Sequence, residues 1–133
     1  MTSKVTYLGD LRTSSTHIAS GSTILSDAPV DNNGKGEAFS PTDTVANALA
    51  SCMLTIMGIK ARDMGITLEG SIAEVTKIMQ AAPRKISGIT VSFSMKSDAD
   101  EKSRTILERT AFTCPVYLSL NPDIEKDITF NWI

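Results

Sequence analysis

Two cysteines, Cys52 and Cys114, carry the chemistry that this 133-residue sequence can offer, and their local settings differ. Cys52 lies within Ala48-Leu49-Ala50-Ser51-Cys52-Met53-Leu54, an apolar run at helical spacing. A thiol inside a buried helix usually behaves as an inert small hydrophobe. Cys114 lies in Thr113-Cys114-Pro115-Val116, where the proline suits the first position of a helix. At a helix N-terminus the unpaired amides and the macrodipole favour a thiolate, so this setting predicts a lowered pKa. A fold that joins the two thiols makes a peroxidatic and a resolving cysteine; a fold that separates them makes two packing residues. His17, the only histidine, has no cysteine or carboxylate beside it in sequence and reads as a structural or surface residue.

Composition bounds the remaining possibilities. Thirteen basic and fifteen acidic residues leave a net charge of -2 without a basic run, so nucleic-acid binding has no electrostatic support. Two cysteines and one histidine do not complete a zinc site, and no cofactor motif is present. The N-terminus has no signal-peptide core, and no stretch reads as a membrane span, so the expectation is a cytoplasmic protein. In that compartment paired thiols are more often catalytic, redox-sensing or simply reduced than structural. The length reads as one domain over 1–133, with 41% hydrophobic and 21% charged residues as in ordinary globular chains.

The elements that position the cysteines follow from local signals. Lys4 to Arg12 and Thr16 to Ser26 read as strands, broken by turns at Gly9-Asp10 and Ser20-Gly21-Ser22. Asp27 to Gly36 is a turn-rich loop, the longest in the chain. Ser40-Pro41-Thr42-Asp43 opens a helix, with Ser40 as N-cap, Pro41 at its first position and Asp43 against the dipole. Val45, Ala48, Leu49, Cys52, Met53, Ile56 and Ile59 keep the helical period, while Ala46, Ala50, Leu54 and Met57 make the far side apolar too. Such a helix is expected to be buried all round and to end near Gly65. Thr67 to Ala82 and Lys85 to Lys96 read as a hairpin of strands drawing on Ile72, Val75, Ile78, Ile89, Val91 and Phe93. Ser97-Asp98 caps a helix to about Phe112, a short helix runs from Val116 to Leu120, and Ile128 to Ile133 is a closing strand. This order makes an α+β domain.

Phe39-Ser40-Pro41-Thr42-Asp43, then Ala48-Leu49-Ala50-Ser51-Cys52, and Cys114-Pro115-Val116 far downstream, together resemble the OsmC/Ohr family of thiol-dependent peroxidases. The resemblance covers essentially the whole chain. It implies antiparallel sheets around a long buried helix carrying the first cysteine, in an intertwined homodimer with sites at the subunit interface. It further implies that Cys52 is peroxidatic and Cys114 resolving, that organic hydroperoxides are the substrates, and that an external dithiol resets the pair. In the family an arginine from the N-terminal strands activates the thiol, and Arg12 matches it. A glutamate near the start of the cysteine helix holds that arginine; its position falls at Thr42, with Asp43 next to it. The alternative reading is a dimeric small-molecule or thiol-binding protein, or a redox sensor, that keeps the fold without efficient peroxidase activity.

Overall fold

The computed structural model describes residues 1–133 and divides them into two compact units, Met1–Val45 and Ala46–Ile133. The first unit is a three-stranded antiparallel sheet, β1 (Ser3–Gly9), β2 (Arg12–His17) and β3 (Thr23–Asp27), with β2 in the centre. The β1–β2 connection is tight: Asp10 and Leu11 take φ of 52° and 64°, as a two-residue hairpin turn requires. Arg12 therefore follows the turn directly and pairs in register with Asp27. A single 3-10 turn, Val30–Asn32, lies in the connection that follows β3. Gly34 is required in that loop, because a Cβ there would collide with the Ala28 carbonyl group.

Helix α1 (Pro41–Asp63) starts as its sequence dictates. The Asp43 amide donates to Ser40 Oγ at 3.0 Å and the Ser40 amide donates to Asp43 Oδ2 at 3.0 Å, a reciprocal capping box. It stops at Gly65, whose φ of 70° lets the Ile66 amide reach back to the Ala61 carbonyl at 2.8 Å.

In the second unit β4 (Ile72–Gln80), β5 (Lys85–Met95) and β6 (Glu125–Trp132) form a sheet with β5 central, antiparallel to β4 and parallel to β6. Between β5 and β6 the chain makes α2 (Glu101–Ala111) and the short α3 (Pro115–Ser119). Alternate residues of β5, namely Ile89, Val91, Phe93 and Met95, are fully buried with Leu49, Met53 and Met57 of α1. Each such side chain contributes roughly 1.5–3 kcal/mol on burial. This shared core fixes the face of α1 that turns inward.

Several local expectations are revised. α1 is not buried all round: Ala46, Leu49, Ala50, Met53, Met57 and Ala61 are buried, while Val45 and Ile59 are exposed. At 23 residues it is also long and apolar enough, by length and composition alone, to cross a membrane; its inner face, however, is packed into the protein core. Ile72 and Ile78 are 60% and 48% exposed, because the β4 phase that faces the core carries Ala73 and Val75. The N-cap of α2 is Asp100, which accepts from the Ser103 amide at 2.8 Å, and not Ser97-Asp98. Ser97 Oγ instead accepts the Ala99 amide at 3.2 Å, a local turn that delays the helix.

Candidate functional site

Cys52 sits on α1 one residue before the buried Met53, at the edge of the core-facing stripe, and it is half-buried. Cys114 is the N-cap of α3, completely buried, with Pro115 at the first helical position. The Tyr117 amide donates to Cys114 Sγ at 3.2 Å. The helix expected to be buried all round leaves Cys52 half-open, and Cys114 is the more deeply buried of the two.

The electrostatics of Cys114 are revised as well. Burial is the largest influence and pushes its thiol pKa up; the Tyr117 amide, which favours the thiolate, opposes it without prevailing. The nearby Cys52 thiol raises it further, and Cys52 packs against the same core cluster that holds Cys114. A helix start of five residues does not offset the loss of water around the sulfur. Both cysteines are free thiols.

An aromatic wall stands beside Cys114. Phe112 meets the Tyr117 ring edge-on at 5.3 Å and Phe130 at 6.2 Å, while Phe130 stacks on Phe93 at 5.1 Å. Lys126 Nζ lies 5.4 Å from the Tyr117 ring and donates to the Ile124 carbonyl at 3.1 Å. The surroundings of the thiol pair are therefore apolar and aromatic. A groove of about 490 Å³ at the C-terminal end of α1, lined by Leu54, Gly58, Arg62 and Ile66 among others, contains neither cysteine.

Arg12 belongs to the N-terminal unit, where two carboxylates hold it. Its Nη2 donates to Glu37 Oε2 at 2.7 Å and to Asp27 Oδ2 at 3.3 Å. Asp27 is fully buried, and its Oδ2 also accepts the Glu37 amide at 3.0 Å. That amide bond is the largest influence holding the Asp27 pKa below its ordinary value, with Arg12 adding to it. The Arg12 pKa is raised in turn, mainly through its hydrogen bond to Asp27. Thr42 and Asp43 serve the helix start: Asp43 completes the capping box and Thr42 Oγ1 lies 3.2 Å from Ser40 Oγ. The sequence reading missed both Asp27 and Glu37. The available signal was a carboxylate at the end of β3, but seeing it opposite Arg12 required the β2–β3 register. His17 Nδ1 pairs with Ser20 Oγ at 2.6 Å, a turn contact within its own hairpin.

The arrangement has relatives. A family model described as OsmC-like protein matches residues 34–129. No curated protein matches the chain. Among solved structures, a protein of Psychrobacter arcticus is 55% identical with a TM-score of 0.95, covering 98% of this chain and 96% of that one. Its name provisionally assigns it to an osmotic stress induced and detoxification response. An organic hydroperoxide resistance protein OsmC of Legionella pneumophila is 16% identical with a TM-score of 0.72, over 98% and 97% of the two chains. The organic hydroperoxide resistance protein OhrB of Bacillus subtilis is 18% identical with a TM-score of 0.65, over 98% of each. At those lower identities the likeness is one of fold. The family match and the Psychrobacter relative go further, and the chain belongs to the OsmC-like protein family.

Proposed function

We propose that this protein reduces organic hydroperoxides with Cys52 as the peroxidatic and Cys114 as the resolving cysteine. The observation that carries this reading is the pair of free thiols on one core cluster, one half-open and one fully buried, beside an aromatic wall. The Cys52 thiolate attacks the terminal oxygen of the hydroperoxide. The S–O bond forms, the O–O bond breaks, and the departing alkoxide takes a proton to become the alcohol. Cys114 then attacks the sulfur of the Cys52 sulfenic acid: an S–S bond forms, the S–O bond breaks, and the hydroxyl leaves as water. An external dithiol reduces the disulfide and is itself oxidised to a disulfide. Arg12 is the proposed cation supporting the Cys52 thiolate, on the strength of the family resemblance.

The same reading takes the working form as a cytoplasmic homodimer. In the N-terminal unit only Asp27 and Ser40 are buried, while Val5, Tyr7, Leu8, Ile24, Leu25 and Phe39 are exposed. A three-stranded sheet without a buried apolar face is not stable alone. A second copy of the chain is the proposed cover. The raised Cys114 pKa also favours a second reading, a redox sensor, since a thiol held neutral resolves slowly.

The test is hydroperoxide consumption with an excess of dithiothreitol. Cys52→Ser is expected to abolish it, and Cys114→Ser to leave a sulfenic acid that dimedone traps on Cys52. Parental rates in both variants would end the peroxidase reading. Rapid oxidation in a single turnover, followed by negligible turnover with dithiols, would select the sensor.

A further inference from the structure

We infer that Asp27 is the positioning residue for Arg12. This inference rests on the proposed activating role of Arg12. Asp27 faces Arg12 directly across β2 and β3, with no solvent exposure, whereas the other holder, Glu37, has a side chain 61% exposed. One oxygen, Asp27 Oδ2, accepts from both Arg12 Nη2 and the Glu37 amide, so it anchors the arginine and the loop residue bearing the second carboxylate. The backbone around Asp27 is pinned on both sides: its amide donates to the Phe39 carbonyl and the Ala28 amide to the Leu11 carbonyl, each at 3.1 Å. The backbone thus holds the carboxylate in place beside Arg12.

The pairing is also incomplete in an informative way. A side-on carboxylate pair would use Nε and Nη2 together. Here Arg12 Nε and Asp27 Oδ1 are both buried and unpaired, because Nη2 is shared with Glu37. Neither carboxylate hydrogen-bonds Nη1. Asp27 thus tethers the guanidinium through one nitrogen and leaves its far edge to present charge elsewhere.

The experiment follows the pH profile of Cys52 alkylation by iodoacetamide in a Cys114→Ser background, which reads thiolate formation without any peroxide chemistry. Arg12→Met is expected to move the midpoint up. Asp27→Asn is expected to move it in the same direction by at least half as much; a shift of about one unit is a tenfold slower reaction below the midpoint. Direct electrostatics alone would give Asp27→Asn the opposite sign, because it removes a negative charge, and a merely structural role would leave the midpoint in place. Glu37→Gln is expected to move it less than half as far as Arg12→Met. An unmoved or lowered midpoint in Asp27→Asn beside a raised one in Arg12→Met overturns the inference. So does a Glu37→Gln shift as large as that of Arg12→Met, an arm that decides even if Asp27→Asn fails to fold. No shift in Arg12→Met overturns the activating role itself, and the Asp27 assignment with it.

Discussion

Replacing Cys114 by serine should change how stability depends on pH, with a sign that the structure dictates. The parental thiol is fully buried and its folded pKa is raised, chiefly by burial. The unfolded chain therefore releases this proton first. The stabilisation is complete below the unfolded thiol pKa of about 8.5 and is lost as pH rises through the folded value. Across that window one proton gives a slope approaching 1.4 kcal/mol per pH unit, about tenfold in the folding equilibrium. Serine does not titrate there, and its hydroxyl can accept the Tyr117 amide that Cys114 Sγ accepts at 3.2 Å. Urea unfolding of the reduced proteins, followed from neutral into alkaline pH with a phosphine reductant, compares the two directly. The parent is expected to lose stability more steeply than Cys114→Ser above the thiol range. Parallel alkaline limbs would show that Cys114 is not held neutral by the fold, and would refute its description as a buried, suppressed thiol. At neutral pH Cys114→Ala, which lacks any cap acceptor, should be less stable than Cys114→Ser by about 1 kcal/mol.

Three other perturbations test the supporting structure. Asp27 has a lowered folded pKa, so its contribution is present above the ordinary carboxylate range and lost as pH falls through the folded value; Asp27→Asn should flatten the acid limb of stability in chemical denaturation. Gly34→Ala drives a Cβ into the Ala28 carbonyl group and cannot be absorbed without moving backbone; thermal unfolding should show a loss of roughly 1–3 kcal/mol, the range for overpacked sites. Ser40→Ala removes one half of the α1 capping box, leaving the Asp43 amide without its Ser40 Oγ acceptor; equilibrium unfolding should register a loss of about 1 kcal/mol.

Much of the fold was legible because its signals are local. Ser40-Pro41-Thr42-Asp43 encodes a helix start that needs no tertiary information, and Gly65 marks the stop through its positive φ. Pro115 likewise places Cys114 at the head of α3. What stayed hidden depends on register and packing. The side of β4 that Ile72 and Ile78 occupy is set by its pairing with β5, including the shift after Ile78. The Arg12 partners lie 15 and 25 residues away: Asp27, which sequence reads as the start of a turn-rich loop but which ends β3, and Glu37, just beyond that loop. The depth of Cys114 follows from its place in the core with Phe93 and Ala111, and that depth overrode the influence of the helix terminus on its pKa.

The central claim is that Cys52 and Cys114 act as one redox couple. The reduced protein is treated with one equivalent of cumene hydroperoxide, quenched with an alkylating reagent, and mapped by peptide mass spectrometry. The expected result is loss of both thiols, a Cys52–Cys114 disulfide peptide two hydrogens lighter than the reduced pair, and one equivalent of alcohol formed. Two alkylated cysteines with the hydroperoxide unconsumed would contradict the account.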